Sequence, residues 1–360
     1  MQVCNREYIA SLEAAGFQLR TISYDFQRRI TSRLVNRIFP KVTNVSEPPE
    51  LFQKVQSAVR KTNAEIIFFG MNVFPGLSLK LRQTFPDVRQ VLLSYGIESI
   101  DFCIEQQIRR QTRTENRYRV VAERMLGREL LDEVEQRRWI DAVLTLSPLD
   151  VEIEKWLGSR KVLWVPRIIM EPGLEARPVD QRVGCVSTLD HPPNSSGLLQ
   201  LFDALEGKVS GNFRFRLVGL PTSQGAAMAK RYAFVEYLGS LSDQQLRSEA
   251  ATWCCFVHPL FVYAKGYSTK LAIGLGWGLP VATTKFGARG YLWDEKLLPL
   301  ADSPAELVQL VLDRCTTRRF EDHQQETKHI LAITPGLVTV GKKIRTFFDR
   351  RSYCSAGSSL

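Results

Sequence analysis

Short apolar runs alternate with helical segments along most of this chain of 360 residues. A strand followed by a helix and a further strand favours a parallel sheet with crossover helices, so the alternation predicts an α/β fold. A chain of this length suits two domains better than one core. In the first half the apolar runs begin at Glu65, Val88, Ala142 and Val162, and the alternation repeats from Val183 to about Leu312.

The stretch 264–284 predicts a loop, a helix, a glycine stop and a buried strand in that order. Gly266 and Ser268 favour a helix start, and Gly278 suits the left-handed position that ends a helix. The backbone N–H groups of a first helical turn have no internal partner, and the helix dipole attracts anions to them. Lys270 adds a full positive charge there. The stretch therefore predicts a site for a phosphate or diphosphate.

This stretch resembles the donor site of group 1 glycosyltransferases, the GT-B enzymes that move a sugar from a nucleotide sugar to an acceptor. The resemblance is specific over roughly residues 180–310 and topological before that. Segments on both sides of the stretch carry it, namely 190–197 with the helical 198–205, then 215–219, 237–243, 287–290 and 301–306.

The resemblance implies a GT-B fold, with two Rossmann-like doubly wound parallel-sheet domains facing a cleft. Family members open with a buried strand, whereas this sequence begins almost at the helix near Arg6, so we expect the N-terminal domain to lack its first strand. The expected organisation is an acceptor-side domain over 1–166, a linker over 167–178, a donor domain over 179–335, a helix over 336–350 that packs back on the first domain, and a flexible tail over 351–360.

The implied activity is transfer of a sugar from a nucleotide-diphosphate sugar to a glycan or lipid-linked acceptor, with retention of configuration. The sequence has no Asp-any-Asp motif, and its histidines have no metal-type spacing, so we expect neither a metal nor a separate cofactor. Lys270 would then contact the phosphates, although a surface lysine of an ordinary first turn is the alternative. The other residues assigned to the donor are Gly219, Gly266, Tyr267, Ser268 and Thr269.

Two positions depart from the family pattern. Lys265 and Ile273 occupy the places of the family's paired glutamates, and neither can act as a carboxylate. These departures favour an alternative in which the chain is an inactive relative that binds a glycan or a partner. Gly274 and Gly276 are unfavourable inside a helix, and either a close backbone approach or relaxed selection would explain them. Because they follow a helical stretch, they do not indicate a dinucleotide fingerprint.

Two residues are candidates for chemistry. Glu98 follows the strand ending at Ser94 and could orient an acceptor hydroxyl, or it could cap the next helix. His258 ends the apolar run that contains Cys254 and Cys255 and could touch the donor, or it could be an ordinary loop histidine.

The net charge of +10 raises the question of an anionic partner. Residues 26–38 predict a basic amphipathic helix, which suits anionic lipid headgroups or a solvated surface. A peripheral membrane-binding module is therefore a further alternative, with the cytoplasm, or the inner face of its membrane, as the expected location. The charge lacks aromatic-interleaved strands, so nucleic acid is not expected. The arginines of the predicted face are Arg29, Arg33 and Arg37.

Two further segments complete the predicted elements. Residues 17–24 alternate as a strand, and the charged segment 103–139 favours a solvated helical pair. The apolar residues of that pair, from Val120 to Val134, recur as a helical stripe.

Overall fold

The computed structural model describes residues 2–23, 49–70, 75–112, 119–170, 172–266 and 268–349. The chain forms two compact units. The first comprises residues 1–103, 114–165 and 337–360, and the second comprises 104–113 and 166–336. Four residues with predicted roles lie outside the described ranges, as does the tail 351–360; these residues are Arg29, Arg33, Arg37 and Tyr267.

The first unit is built on a parallel sheet with the strand order β1-β2-β3-β4. The central strands β2 and β3 are nearly all buried, as expected for a parallel sheet covered on both faces. The strands are β1 (Ile66–Gly70), β2 (Arg89–Leu93), β3 (Ala142–Thr145) and β4 (Val162–Trp164). The helices are α1 (Gln2–Ala14), α2 (Pro49–Thr62), α3 (Pro75–Thr84), the start of α4 (Glu98–Thr112), α5 (Arg119–Arg138), α6 (Pro148–Trp156) and the late helix α14 (Leu337–Phe348). Residues 104–112 of α4 belong to the second unit.

The strand predicted over 17–24 is wrong for its described part, because residues 17–23 are irregular. Helix α1 before them ends at Ala14, and after the turn at Gly16 the N–H of Phe17 still bonds to Leu12 O at 3.1 Å. The ring of Phe17 then packs edge-on against Phe68 of β1 and Phe348 of α14. Side-chain packing has therefore replaced strand pairing. Within the described ranges, β1 is the first strand and pairs with β2 alone.

Helix α14 lies against α1 in the first unit. A side chain at Gly341 would come within 2.6 Å of the backbone of Ala14, so the two helices approach at the distance that glycine permits. The predicted stripe on α5 is largely unburied, since Leu131 is 68% exposed and Val120 61%. The charged segment thus forms helices, but its apolar residues do not build a core.

The second unit is built on a parallel sheet with the strand order β7-β6-β5-β8-β9. Gly184 of β5 lets the buried ring of Trp253 approach, because a side chain there would meet that ring at 2.1 Å. The strands are β5 (Arg182–Thr188), β6 (Arg214–Leu220), β7 (Val235–Gly239), β8 (Cys255–His258) and β9 (Val281–Thr283). The helices are α7 (Pro192–Leu205), α8 (Thr222–Arg231), α9 (Asp243–Ala250), α10 (Thr269–Gly276), α11 (Lys285–Ala288), α12 (Pro304–Arg314) and α13 (Phe320–Ile333), with a 3₁₀ turn at Thr317–Arg319.

None of the helices in the described ranges combines the length and apolar character that a bilayer crossing requires.

Candidate functional site

The chain order in the second sheet creates a switch point between β5 and β8. From β5 the chain proceeds to β6 on one side, and from β8 it proceeds to β9 on the other. The loops that leave these two neighbouring strands therefore diverge, and open α/β sheets bind ligands at the carboxyl ends of such strands. This part of the second unit is the candidate site.

Helix α10 begins at the switch point, and the described residues between β8 and the helix are the loop residues 259–266 and Ser268. Ser268 is its N-cap, and its Oγ accepts the N–H of Leu271 at 3.2 Å. The N–H groups of Thr269 and Lys270 precede that residue in the first turn, where a helix offers no acceptor of its own. Gly266 has a φ of 71°, which places a left-handed turn just before the cap.

Helix α7, on the other side of the switch point, begins differently. Pro192 and Pro193 occupy its first two positions and have no N–H to donate. The next two N–H groups, of Asn194 and Ser195, both bond to His191 O at 3.0 and 3.1 Å. Of the two helices that flank the switch point, α10 is therefore the one suited to an anion.

Lys270 supplies positive charge at the start of α10. Burial lowers the pKa of its ammonium from 10.5 to about 8, with Arg289 adding to that shift and Cys185 opposing it. Burial in turn raises the pKa of the Cys185 thiol to about 12, so the thiol stays protonated and uncharged near neutral pH. A lysine that gives up its proton this readily lies in a site that an anion would stabilise.

His258 ends β8 beside Lys270 and is only 4% exposed. Burial, then Lys270 and Arg289, lower the pKa of its imidazole well below 6.5, so the ring is neutral at physiological pH. Within the described residues its Nε2 has no hydrogen-bond partner. The structure thus brings His258 together with Gly266, Ser268, Thr269 and Lys270 at one edge of the sheet.

Gly219 lies one strand further away, in β6. Its φ is 152°, and a side chain there would come within 1.8 Å of the carbonyl oxygen of Ser187. Its own carbonyl accepts the hydroxyl of Tyr237 at 2.7 Å. Backbone packing between β5 and β6 therefore requires this glycine, and its role toward a donor stays a prediction.

Glu98 belongs to the first unit and is the first residue of α4. Its N–H donates to Oε1 of Glu133 at 2.7 Å, and Ser99 donates its N–H and its hydroxyl to the same carboxylate at 3.3 and 2.5 Å. The cap of α4 is thus Glu133, which the sequence analysis did not identify. A role for Glu98 toward an acceptor stays a prediction.

The region around the two substituted glutamate positions is apolar or basic. Ile273 packs against the apolar core of the second unit, and the Lys265 carbonyl faces Arg289 Nη2 at 3.4 Å. Gly274 has a packing reason, because a side chain there would meet the ring of Phe256 at 2.5 Å. The close-approach explanation is therefore correct for Gly274. Gly278 ends α10 with a φ of 71°, as predicted.

Two residues near the site were missed from the sequence. Arg289 donates to carbonyls of the loop residues 259–266, and the hydroxyl of Tyr291 donates to the carbonyl of Ser268. Their only sequence signal was that Arg289 falls within the segment 287–290, which matched the family without an assigned role.

Solved glycosyltransferase structures share this fold. TarM matches with a TM-score of 0.56 and 14% identity, over 81% of this chain and 57% of that one. A glycosyltransferase from Rickettsia africae matches with a TM-score of 0.56 and 11% identity, over 95% of this chain and 93% of that one. Anabaena HepE in complex with UDP-glucose matches with a TM-score of 0.53 and 15% identity, over 82% of this chain and 81% of that one.

No protein-family model and no curated protein matches the sequence. The chain spans a little over half of the TarM chain, 57% of its length. The predicted α/β fold, with two parallel sheets of the GT-B type, is confirmed by the strand order of both units and by these structures.

Proposed function

We propose that the chain is a glycosyltransferase that takes its sugar from a nucleotide-diphosphate sugar, with the diphosphate bound at the start of α10. The observation that carries the proposal is the combination of Lys270 with an open helix N-terminus at the switch point of the second sheet. The structures of S. aureus TarM and Anabaena HepE, which share the fold, were determined with UDP bound, which supports the same ligand class for this chain.

Departure of the nucleotide diphosphate leaves negative charge that the protein must stabilise. In the proposed reaction the Lys270 ammonium and the N–H groups of Thr269 and Lys270 hold the diphosphate as that charge grows. The Arg289 guanidinium adds positive potential to the site, as its effect on Lys270 indicates. This amount of fixed positive charge supports a reaction that needs no metal. Retention of configuration and a glycan or lipid-linked acceptor complete the proposal.

The neutral His258 ring suits a contact with an uncharged part of the donor. An imidazole that is protonated would add a third cation, but burial keeps this one neutral. Its buried Nε2 would gain a partner from a sugar hydroxyl, and a buried polar atom that gains a partner stabilises the complex.

Binding of UDP-glucose by isothermal titration calorimetry tests the site. We expect Lys270→Ala to weaken binding by about ten- to a hundredfold, the range of a lost hydrogen bond to a charged group. Lys230→Ala is the matched control, because this substitution removes the same charge from an exposed residue in the last turn of α8. Equal affinity of both variants and the wild type would refute the assignment. ADP-glucose and GDP-glucose are measured in parallel, because the base is not fixed by the site.

An inactive relative that binds without turnover is the second candidate. The observation in its favour is that Lys265 and Ile273 offer no carboxylate beside the site. Release of the nucleoside diphosphate from the bound donor, measured with a panel of glycan and lipid-linked acceptors, separates the two. Binding that depends on Lys270 with no release for any acceptor would favour the inactive relative.

We also propose that the protein associates with an anionic membrane surface through Arg29, Arg33 and Arg37. This association would place it in the cytoplasm, at the inner face of the membrane. These arginines lie outside the described residues. Salt-sensitive cosedimentation with phosphatidylserine vesicles, lost when the three are replaced by glutamine, would support it.

A further inference from the structure

We infer that Arg289 and Tyr291 are positioning residues that hold the loop residues 259–266 and the cap Ser268 in the arrangement that directs the start of α10 at a diphosphate. The inference rests on the proposed function, because it concerns the same site. The inference adds Arg289 and Tyr291 to the site. Both lie about 20 positions after the start of α10 and contact the residues before that helix through their backbone carbonyls.

Arg289 holds the middle of the loop. Its Nη2 donates to the carbonyl oxygen of Ala264, and the carbonyl of Lys265 lies 3.4 Å from the same nitrogen. Its Nη1 donates to Phe286 O at 2.5 Å, which fixes the guanidinium relative to α11. The guanidinium carbon also lies 5.6 Å from the centre of the Tyr263 ring, within the range of a cation–π contact.

Tyr291 holds the end of the loop. Its side chain is 5% exposed, and its hydroxyl donates to the carbonyl oxygen of Ser268, the N-cap of α10. The orientation of an N-cap residue sets the direction of the first turn, because its carbonyl and side chain both bond within that turn. Tyr291 therefore fixes the residue from which the N–H groups of Thr269 and Lys270 follow.

Gly266 lies between the two attachment points with a φ of 71°. Glycine moves between left-handed and right-handed conformations more readily than any other residue. Without the two attachments, rotation at Gly266 would let the start of α10 and the loop separate. The contacts on either side of Gly266 thus limit the backbone rotation that a glycine allows at this position.

Arg289 also acts through its charge. The guanidinium lowers the pKa of Lys270 and of His258, so it lies within electrostatic reach of both. The other ionisable group that shifts Lys270 is the Cys185 thiol, which stays neutral until about pH 12. A change at Arg289 should therefore alter two separate properties, the shape of the loop and the pH at which Lys270 titrates.

The test uses the full chain with UDP-glucose and ADP-glucose as probes, since their diphosphates are esterified at both ends and do not titrate near neutrality. Arg289→Met should weaken binding by about tenfold or more and move the pH midpoint of binding upward from that of the wild type. Arg289→Lys should keep the wild-type midpoint and lose affinity, because it keeps the charge but not the paired donors. Tyr291→Phe should weaken binding several-fold with an unchanged midpoint.

Arg231→Met is the matched control, because Arg231 is exposed at the end of α8 and pairs with Asp203 of α7. A midpoint and affinity in Arg289→Met equal to those of this control would overturn the inference for Arg289. If Arg289→Met does not fold, Arg289→Lys and Tyr291→Phe decide, and wild-type affinity in both would overturn it.

Failure of the inference is distinguishable from failure of the proposed function. If the wild type binds neither probe, or if Lys270→Ala binds as well as the wild type, the proposed function fails and the inference fails with it. If Lys270→Ala loses binding while the Arg289 and Tyr291 variants keep it, the inference alone is wrong.

Discussion

Both units start a helix at the carboxyl edge of their sheet, and they treat that helix N-terminus in opposite ways. In the first unit the protein supplies its own anion, because the buried carboxylate of Glu133 accepts three hydrogen bonds from the first residues of α4. In the second unit the corresponding position of α10 has a lysine beside it. The N-terminus of α4 is thus completed by the chain itself, whereas that of α10 would be completed by the proposed diphosphate.

The backbone alone does not determine how a helix N-terminus is completed. Both helices follow a parallel strand, and both have the partial positive charge of a helix N-terminus. The difference lies in one long-range side chain in each unit. Glu133 reaches α4 from 34 or 35 positions along the chain, and Arg289 raises the positive potential at α10.

The largest expected effect is on the first unit. Glu133→Ala leaves the N–H groups of Glu98 and Ser99 without their acceptor in a buried place, and should lower the free energy of unfolding by about 2–3 kcal/mol. Urea denaturation followed by circular dichroism measures this change. Glu133→Gln keeps an acceptor oxygen without the charge and should cost less.

The same Glu133 variants also test whether the carboxylate affects the second unit. If Glu133 only completes its own helix, the affinity of the second unit for UDP-glucose should not change in Glu133→Gln. A stability equal to that of the wild type in Glu133→Ala would contradict the proposed role of this carboxylate.

The next expected effect is the pH dependence of donor binding. Because the pKa of Lys270 in the free protein is about 8, the ammonium is present below that pH and is lost as the pH rises through it. An anion favours the ammonium, so affinity should fall by about tenfold between pH 7 and pH 9. ADP-glucose is the preferred probe above pH 8, since its base does not ionise there. A constant affinity up to pH 9 would show that Lys270 does not contact the ligand.

The unliganded protein should respond to pH in the opposite direction. The folded pKa of Lys270 lies below the unfolded value of 10.5, so between pH 8 and 10.5 the unfolded chain binds more protons at this residue. The contribution of Lys270 to stability should therefore rise with pH over that window. Thermal melts of the wild type against Lys270→Met isolate this contribution, and its absence would mean that the lysine is not perturbed.

The smallest expected effect concerns the caps within the second unit. Ser268 caps α10 at the site. Ser242 caps α9, where its Oγ accepts the N–H of Gln245 and its own N–H donates to Oε1 of Gln245. Replacing either serine by alanine should cost about 1 kcal/mol of stability. Only Ser268→Ala should also weaken UDP-glucose binding, by a few-fold. Equal binding in the two variants would mean that the cap does not set the direction of the first turn.

The strands and the start of α10 were predictable because local patterns determine them. The apolar runs that begin at 65 and 142 correspond to β1 and β3, and Ser268 and Gly278 delimit α10 as their residue types indicate. The strand over 17–24 was not predictable, since its alternating pattern is overridden by the packing of Phe17 against two distant rings.

The long-range side chains at the two helix starts were also beyond a sequence pattern. The helix starts are contacted by side chains 23 to 35 positions away, those of Glu133, Arg289 and Tyr291. Most of the groups that these side chains contact are backbone groups, which carry no residue-type signal. The apolar stripe on α5 is helical as predicted, but periodicity predicts a face and not what covers it. The capped start of α10 could be predicted, whereas the distant residues that contact it could not.

The low pKa of Lys270 also makes it a chemically reactive residue. With a pKa of about 8, about a tenth of its side chains are free amines at pH 7, whereas an ordinary lysine is almost entirely protonated. A free amine is the form that attacks acylating reagents and aldehydes. A bound diphosphate, by keeping Lys270 protonated, would therefore slow the reaction of this lysine with an amine-selective label.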